Sequence, residues 1–218
     1  MNKKYILIIF IIFILVSLVN AGGNKEKTLI NFSGSIDYLD GEVVLNKEPA
    51  GLGSEVKTGD IVETGSDSFC HIIFNRGNVL LMEPDTILQI NWIDSSLNLK
   101  KGSIASVFEK MKKVIGSNEE FKIITPSATA GIRGTAFYIK VEDEFNTYIC
   151  TCNGSLTLYG EDIENFISTS AHHKAYRFTE SGDEVQVANA SMLYHDDPKM
   201  NSVAKVIGET IPWESSSY

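Results

Sequence analysis

Cys150 and Cys152 stand two residues apart in the run Asn146-Thr-Tyr-Ile-Cys-Thr-Cys152, and His172, His173 and His195 follow. Three of the four histidines and two of the three cysteines therefore fall within residues 150–195. In an extended strand, side chains at i and i+2 share a face, so both thiols look the same way. Two thiolates and up to three imidazoles are enough to fill a tetrahedral metal site. That donor set suits zinc first, and copper or an iron–sulfur centre after it. His172 and His173 point to opposite faces if the chain is extended there, so one ligates while its neighbour supports it or meets solvent. His195 lies just before a predicted helix cap, a fixed position from which to close the site. The same residues also admit a redox-labile dithiol, an intermolecular disulfide or ordinary surface histidines. A Cys150–Cys152 disulfide would close a very small, strained ring. The spacing fits neither a zinc finger nor the Cys-x-x-Cys-His of covalent haem attachment.

Both cysteines need a strand beneath them, and the sequence supplies many. Apolar runs at 36–39, 42–45, 60–64, 69–74, 79–83, 87–92 and 96–100 alternate with turns punctuated by Gly41, Gly59, Gly65, Gly77 and Gly102. Strands resume at 121–125, 136–141, 147–152 and 155–159. Such spacing predicts an all-β sandwich or solenoid-like domain. Ile104, Val107, Phe108, Met111, Val114 and Ile115 fall near a helical period and predict a short helix over 103–115, stopped by Gly116. Beyond Gly160 the chain turns polar: 161–169 is ambiguous, and 174–179 and 184–187 read as strands around a turn at 180–183. Asp196 then caps a helix near 197–207. Pro198 lies in its first turn, its apolar face is Met200, Val203, Ala204 and Ile207, and Gly208 ends it. A small α+β extension over 161–218 thus follows a β domain over 22–160, with residues 214–218 frayed.

The start of the chain is basic (Met1-Asn-Lys-Lys4), then apolar without a charge from Tyr5 to Val19, then small from Ala21 to Gly23. This pattern reads as a secretory signal peptide over 1–21. The apolar run is shorter than the roughly 20 residues of a membrane span. An uncleaved N-terminal anchor is the alternative, and the one case in which the membrane is a partner. Without residues 1–21, which carry Lys3 and Lys4 and no acid, the 19 basic residues fall to 17 against 28 acidic ones, a net charge of −11. That balance argues against nucleic acid or anionic lipid as a partner. An exported chain is periplasmic or secreted and meets oxidants. Cys70, in Ser-Phe-Cys-His-Ile-Ile-Phe74, reads as a core residue, with His71 on the opposite, outer face. The acidic pairs Glu119-Glu120, Asp143-Glu144 and Asp196-Asp197 read as solvated charge. No Gly-x-Ser-x-Gly elbow, phosphate loop or His-Glu-x-x-His helix occurs, so a non-enzymatic protein is expected.

Residues 125–137 read Thr-Pro-Ser-Ala-Thr-Ala-Gly-Ile-Arg-Gly-Thr-Ala-Phe. This resembles the signature of the FecR domain, named for the iron-dicitrate sensor regulators: a Thr-Pro step, small residues, then Val/Ile-Arg-Gly-Thr entering a strand. Val56-Lys-Thr-Gly-Asp60, Glu63-Thr-Gly-Ser-Asp-Ser68 and Leu81-Met-Glu-Pro-Asp-Thr86, with Asn75-Arg-Gly-Asn78 before the last, resemble further family segments in the same order, so the likeness spans about 33–159. It implies an extracytoplasmic all-β domain with a protein partner in the envelope. Thr125, Pro126, Arg133, Gly134 and Thr135 would then be architectural. The chain departs from the founding regulators in lacking their cytoplasmic, sigma-regulating tail, so transmembrane sigma regulation is not expected. The resulting expectation is an exported FecR-like binding protein with a metal ion, zinc first, on Cys150, Cys152, His172 or His173, and His195. An envelope scaffold without metal and a thiol-based redox protein are the alternatives.

Overall fold

The computed structural model describes residues 33–74, 77–108, 120–132 and 134–213. The expected signal peptide, most of the expected helix over 103–115, Arg133 and residues 214–218 lie outside these. β1 (Gly34–Asp40), β2 (Val43–Leu45), β3 (Glu48–Pro49), β4 (Glu55–Val56), β5 (Ile61–Thr64), β6 (Phe69–Phe74), β7 (Asn78–Met82) and β8 (Ile87–Asn91) lead to a long strand, β9 (Ser96–Phe108). β10 (Phe121–Ile124), β11 (Thr129–Ile132) and β12 (Ala136–Val141) precede a second long strand, β13 (Asn146–Tyr159). β14 (Phe166–Ser170), β15 (Lys174–Ser181), β16 (Glu184–Ala190) and helix α1 (Asp197–Val206) complete the order.

Two sheets share the two long strands. The first runs β4-β1-β6-β7-β9-β12-β13-β15-β16, antiparallel throughout. The second runs β3-β2-β5-β8-β9-β10-β11-β13-β14, with β9 and β10 its parallel pair. Each long strand changes sheet at a glycine in the left-handed region, Gly102 (φ 81°) in β9 and Gly154 (φ 113°) in β13. A Cβ on Gly102 would strike Thr86, and one on Gly154 would strike Thr135, so no other residue fits these bends.

Apolar side chains from both sheets, among them Ile72, Leu80, Leu88, Leu97, Phe121, Phe137 and Ile149, form the core between them. A second apolar cluster lies on the outer face of the first sheet. Val79, Leu81, Ala105, Val107, Ala136, Tyr138, Tyr148, Cys150 and Cys152 meet Met200, Val203 and Ala204 of α1 and Ile211 beyond it. This second layer corrects one expectation. Residues 103–108 are strand, the second half of β9. Ile104 and Phe108 enter the inner core while Ala105 and Val107 face α1. A strand covered on both faces carries apolar residues on both, here Ile104 and Phe108 on one and Ala105 and Val107 on the other, and its large residues then mimic a helical period. β13 is one bent strand rather than two, and β11 is an additional strand inside the Thr-Pro…Gly-Thr segment. The ambiguous stretch over 161–169 contains the start of β14.

The C-terminal helix forms where its signals place it. The Asp196 carboxylate accepts the Lys199 amide at 2.9 Å, Pro198 sits in the first turn and Gly208 follows the end at φ 74°. Among the described residues, no helix is long and apolar enough to cross a membrane.

Candidate metal centre

β13 places the two thiols as its period requires. Cys150 and Cys152 are both fully buried, on the outer face of the first sheet, with Sγ atoms 3.9 Å apart. The family-like segment braces this strand. Thr135 Oγ1 donates to the Asn153 carbonyl at 2.6 Å, and Thr125 and Ser127 meet the Thr147 hydroxyl at 3.0 and 2.8 Å. Gly134 takes φ 78°, and Pro126 stands in the Thr125–Ala128 turn, where the Thr125 hydroxyl both donates to Ala128 O and accepts from Ala128 N.

The two imidazoles arrive from elsewhere. His173 lies in the corner where the chain passes from β14 in the second sheet to β15 in the first. Its amide donates to the Cys152 carbonyl at 2.9 Å, and its φ of 51° breaks the extended backbone. His172 and His173 therefore do not diverge; their ring centroids are 4.9 Å apart. His195 sits one residue before the Asp196 cap and is buried. Cys150 Sγ lies 3.6 Å from His173 Nδ1, Cys152 Sγ lies 3.3 Å from His195 Nε2, and the two nitrogens are 3.3 Å apart. All four donor atoms lie within 4.8 Å of one another.

Four of the six donor separations have the lengths of a small tetrahedron's edges, and the other two lie within 4.8 Å. Zn–S bonds of about 2.3 Å and Zn–N bonds of about 2.05 Å at tetrahedral angles require S···S near ~3.8 Å, S···N near ~3.6 Å and N···N near ~3.3 Å. The measured 3.9 Å, 3.6 and 3.3 Å, and 3.3 Å match these to about 0.3 Å.

The far side of each ring sets which nitrogen faces the centre. His195 Nδ1 is 2.7 Å from the Leu193 carbonyl, which can only accept, so Nδ1 carries the proton and Nε2 presents its lone pair. His173 Nε2 is 2.7 Å from Asp197 Oδ1, which leaves Nδ1 as the donor atom. A carboxylate or carbonyl behind each ligating imidazole is the arrangement that orients histidines in metal sites. His172 is not part of the tetrahedron. Its Nε2 also binds Asp197, at 3.0 and 3.1 Å to the two oxygens. Asp197 is thus more than solvated charge, and its pairing with two histidines was not apparent in the sequence. Burial alone would raise its pKa, but the His173 and His172 hydrogen bonds bring it below the ordinary value.

The shell is aromatic. Tyr138 stacks flat on His195, with centroids 4.5 Å apart and planes 8° apart, and Trp213 stacks on His173 at 5.1 Å. The Tyr138 hydroxyl donates to Glu83 Oε2 at 2.5 Å; Ser103 Oγ donates to the same oxygen at 2.7 Å, and Lys199 Nζ to Oε1 at 2.5 Å. Burial works to raise the Glu83 pKa, yet these three donors hold it below the usual glutamate value. None of Glu83, Tyr138 or Trp213 carries a sequence signal for the site, because only the fold brings them there.

The thiols behave as a pair. The Cys152 hydrogen bond, helped by His173 and His195, pulls the Cys150 pKa down against burial, while burial and then the neighbouring Cys150 push Cys152 up. The pocket therefore accepts one thiolate readily and resists a second until a cation joins it, and a divalent ion with two thiolates is neutral. Burial holds the His173 pKa down, but hydrogen bonds to Cys150 and Asp197 leave it raised overall. Cys70 is a core residue far from this chemistry, its thiol pushed up to about 12 by burial.

Residues 60–155 match the family described as FecR protein. The match includes Cys150 and Cys152 and stops before His173 and His195, so the centre joins the domain to the segment beyond it. No curated protein matches the chain significantly. Two crystal structures of a candidate anti-sigma factor from Parabacteroides distasonis ATCC 8503, at 1.65 and 2.50 Å resolution, resemble it at 10% sequence identity, with TM-scores of 0.45 and 0.47. In both, the likeness covers 60% of this chain and 60% of that chain.

Proposed function

We propose that this chain is an exported, non-enzymatic FecR-domain protein that binds one metal ion, zinc foremost, through Cys150, Cys152, His173 and His195, and serves a structural or sensing role in the cell envelope with a protein partner. The agreement between the four donor separations and a zinc tetrahedron carries the proposal. Four protein ligands leave no open position, the pattern of structural rather than catalytic zinc. Export rests on the basic, apolar and small-residue start of the sequence and on the extracytoplasmic character that the FecR resemblance implies. The units follow the sequence: 1–21 as the signal peptide, 22–160 as the FecR-like domain and 161–218 as the extension that supplies both imidazoles. Elemental analysis of residues 22–218, purified without a histidine tag, tests the proposal. About one zinc per chain, absent from a folded Cys150→Ser/Cys152→Ser variant, is expected; a metal-free, folded wild-type protein would overturn it.

A further inference from the structure

Resting on the metal reading above, we propose that α1 is a metal-latched cover: the ion holds residues 191–213 on the first sheet, and its loss frees them and opens an apolar face while the sandwich stays folded. Four observations carry this. The inner core is complete without the cover, since none of its side chains comes from residues 191–213. The covered face (Val79, Leu81, Ala105, Val107 and Ala136) is apolar and finds its partner in Met200, Val203 and Ala204 of α1. The cover reaches the ligands at both ends. His195 leads into the helix, Asp197 in its first turn binds His172 and His173, and beyond it Trp213 lies on both of those rings. Finally, α1 has 10 residues, short of the roughly 12–15 at which an isolated helix begins to persist, so it exists only while docked.

Away from the centre, a handful of polar links also retain the cover. Lys199 reaches Glu83 and Asn153 Nδ2 donates to the Pro212 carbonyl at 3.0 Å. The Tyr148 hydroxyl donates to the Ser191 carbonyl at 3.2 Å and accepts the Leu193 amide at 3.0 Å, and the Tyr194 hydroxyl donates to Glu142 at 2.5 Å. The apolar contact and these five bonds compete with the chain entropy of some twenty residues. The ion ties His195 to two cysteines of β13 and to His173, and so closes the segment at its N-terminal root. Its removal acts on the cover before it acts on the sandwich, whose β7, β9, β12 and β13 ladders involve no residue of α1.

Hydrogen exchange read by mass spectrometry tests this on residues 22–218. The protein is zinc-loaded or stripped with a chelator under anaerobic reducing conditions, and metal content is measured on the same samples. With free zinc at about 100 times its Kd, removal should shift the opening equilibrium of residues 197–207 about 100-fold. Protection in β6, β7 and β9 should persist, and an apolar dye should bind the stripped form. A protein that binds zinc but protects 197–207 equally with and without it overturns the latch and leaves the metal reading intact. Loss of protection across the sandwich on stripping also overturns the latch, because the ion then supports the whole fold. A protein that binds no zinc overturns the metal reading and the latch together.

Discussion

Replacing Asp197 with asparagine separates the metal centre from the helix that borders it. The Asp197 carboxylate accepts the His173 Nε2 proton at 2.7 Å and binds His172 Nε2 at 3.0 Å. It thereby holds the His173 ring with Nδ1 toward the cysteines and makes that nitrogen a better donor. Removing such a partner costs about 10- to 100-fold in metal affinity, or about 1.4–2.8 kcal/mol. Asparagine keeps an acceptor oxygen, so the lower half of that range is expected: a zinc Kd about 10- to 30-fold weaker with the stoichiometry unchanged. Loss of a first-turn charge also costs the helix about 0.3–1 kcal/mol. Asp196→Asn is the control, because asparagine caps a helix about as well as aspartate and Asp196 touches no ligand. Competition against a chelating dye reads both variants. An Asp197→Asn affinity within threefold of wild type, or an equal loss in Asp196→Asn, would refute the assignment of Asp197 as the residue that orients His173.

Lys199→Met leaves the Glu83 carboxylate, 9% exposed, without its cation. The cost should be about 2 kcal/mol in urea unfolding, below the roughly 3–5 kcal/mol of a fully buried pair because Lys199 keeps contact with water. The pH dependence has a definite sign. The Glu83 pKa is lowered in the folded state, so its contribution is present above the ordinary glutamate value and is lost as pH falls through the depressed one. The gap between wild type and Lys199→Met should therefore narrow on acidification, and a gap that widens would contradict the pairing. Gly154→Ala forces a side chain into a left-handed bend and onto Thr135. It should cost at least about 1–3 kcal/mol and lower the thermal midpoint, whereas Gly182→Ala, in an open turn with nothing near its Cβ, should pay only the backbone strain. In a Trp92→Phe background, Trp213 emission should change when zinc leaves, because that indole stacks on His173; an unchanged spectrum would argue that the stack survives without the ion.

Much of the architecture was legible in the sequence, and for physical reasons. The apolar run Phe69–Phe74 marks a buried strand, and β6 spans those same residues. The Asp196 cap, Pro198 and Gly208 marked α1, since capping is local chemistry. The i, i+2 thiols and the imidazoles downstream were legible as a donor set because strand geometry fixes one pair and residue chemistry suggests the other. The failures arose where tertiary structure decides. Residues 103–108 look helical only because β9 is covered on both faces. Gly154 looks like a strand break, yet it is a bend that lets β13 serve two sheets. Which histidine of the adjacent pair faces the thiols depends on the left-handed backbone at His173, a corner between sheets that no local pattern announces. Asp197 looked like an ordinary first-turn acid because its partners lie 25 and 24 residues away. Glu83, Tyr138 and Trp213 come from three distant stretches and meet the centre only through the fold.

X-ray absorption at the zinc edge, on untagged residues 22–218 loaded with one equivalent of zinc, tests the central claim most directly. The account predicts two sulfur neighbours at about 2.3 Å and two nitrogens at about 2.0–2.1 Å, with the sulfur shell lost in the Cys150→Ser/Cys152→Ser variant. A shell of nitrogen and oxygen alone, or a sulfur shell that survives that substitution, would contradict it.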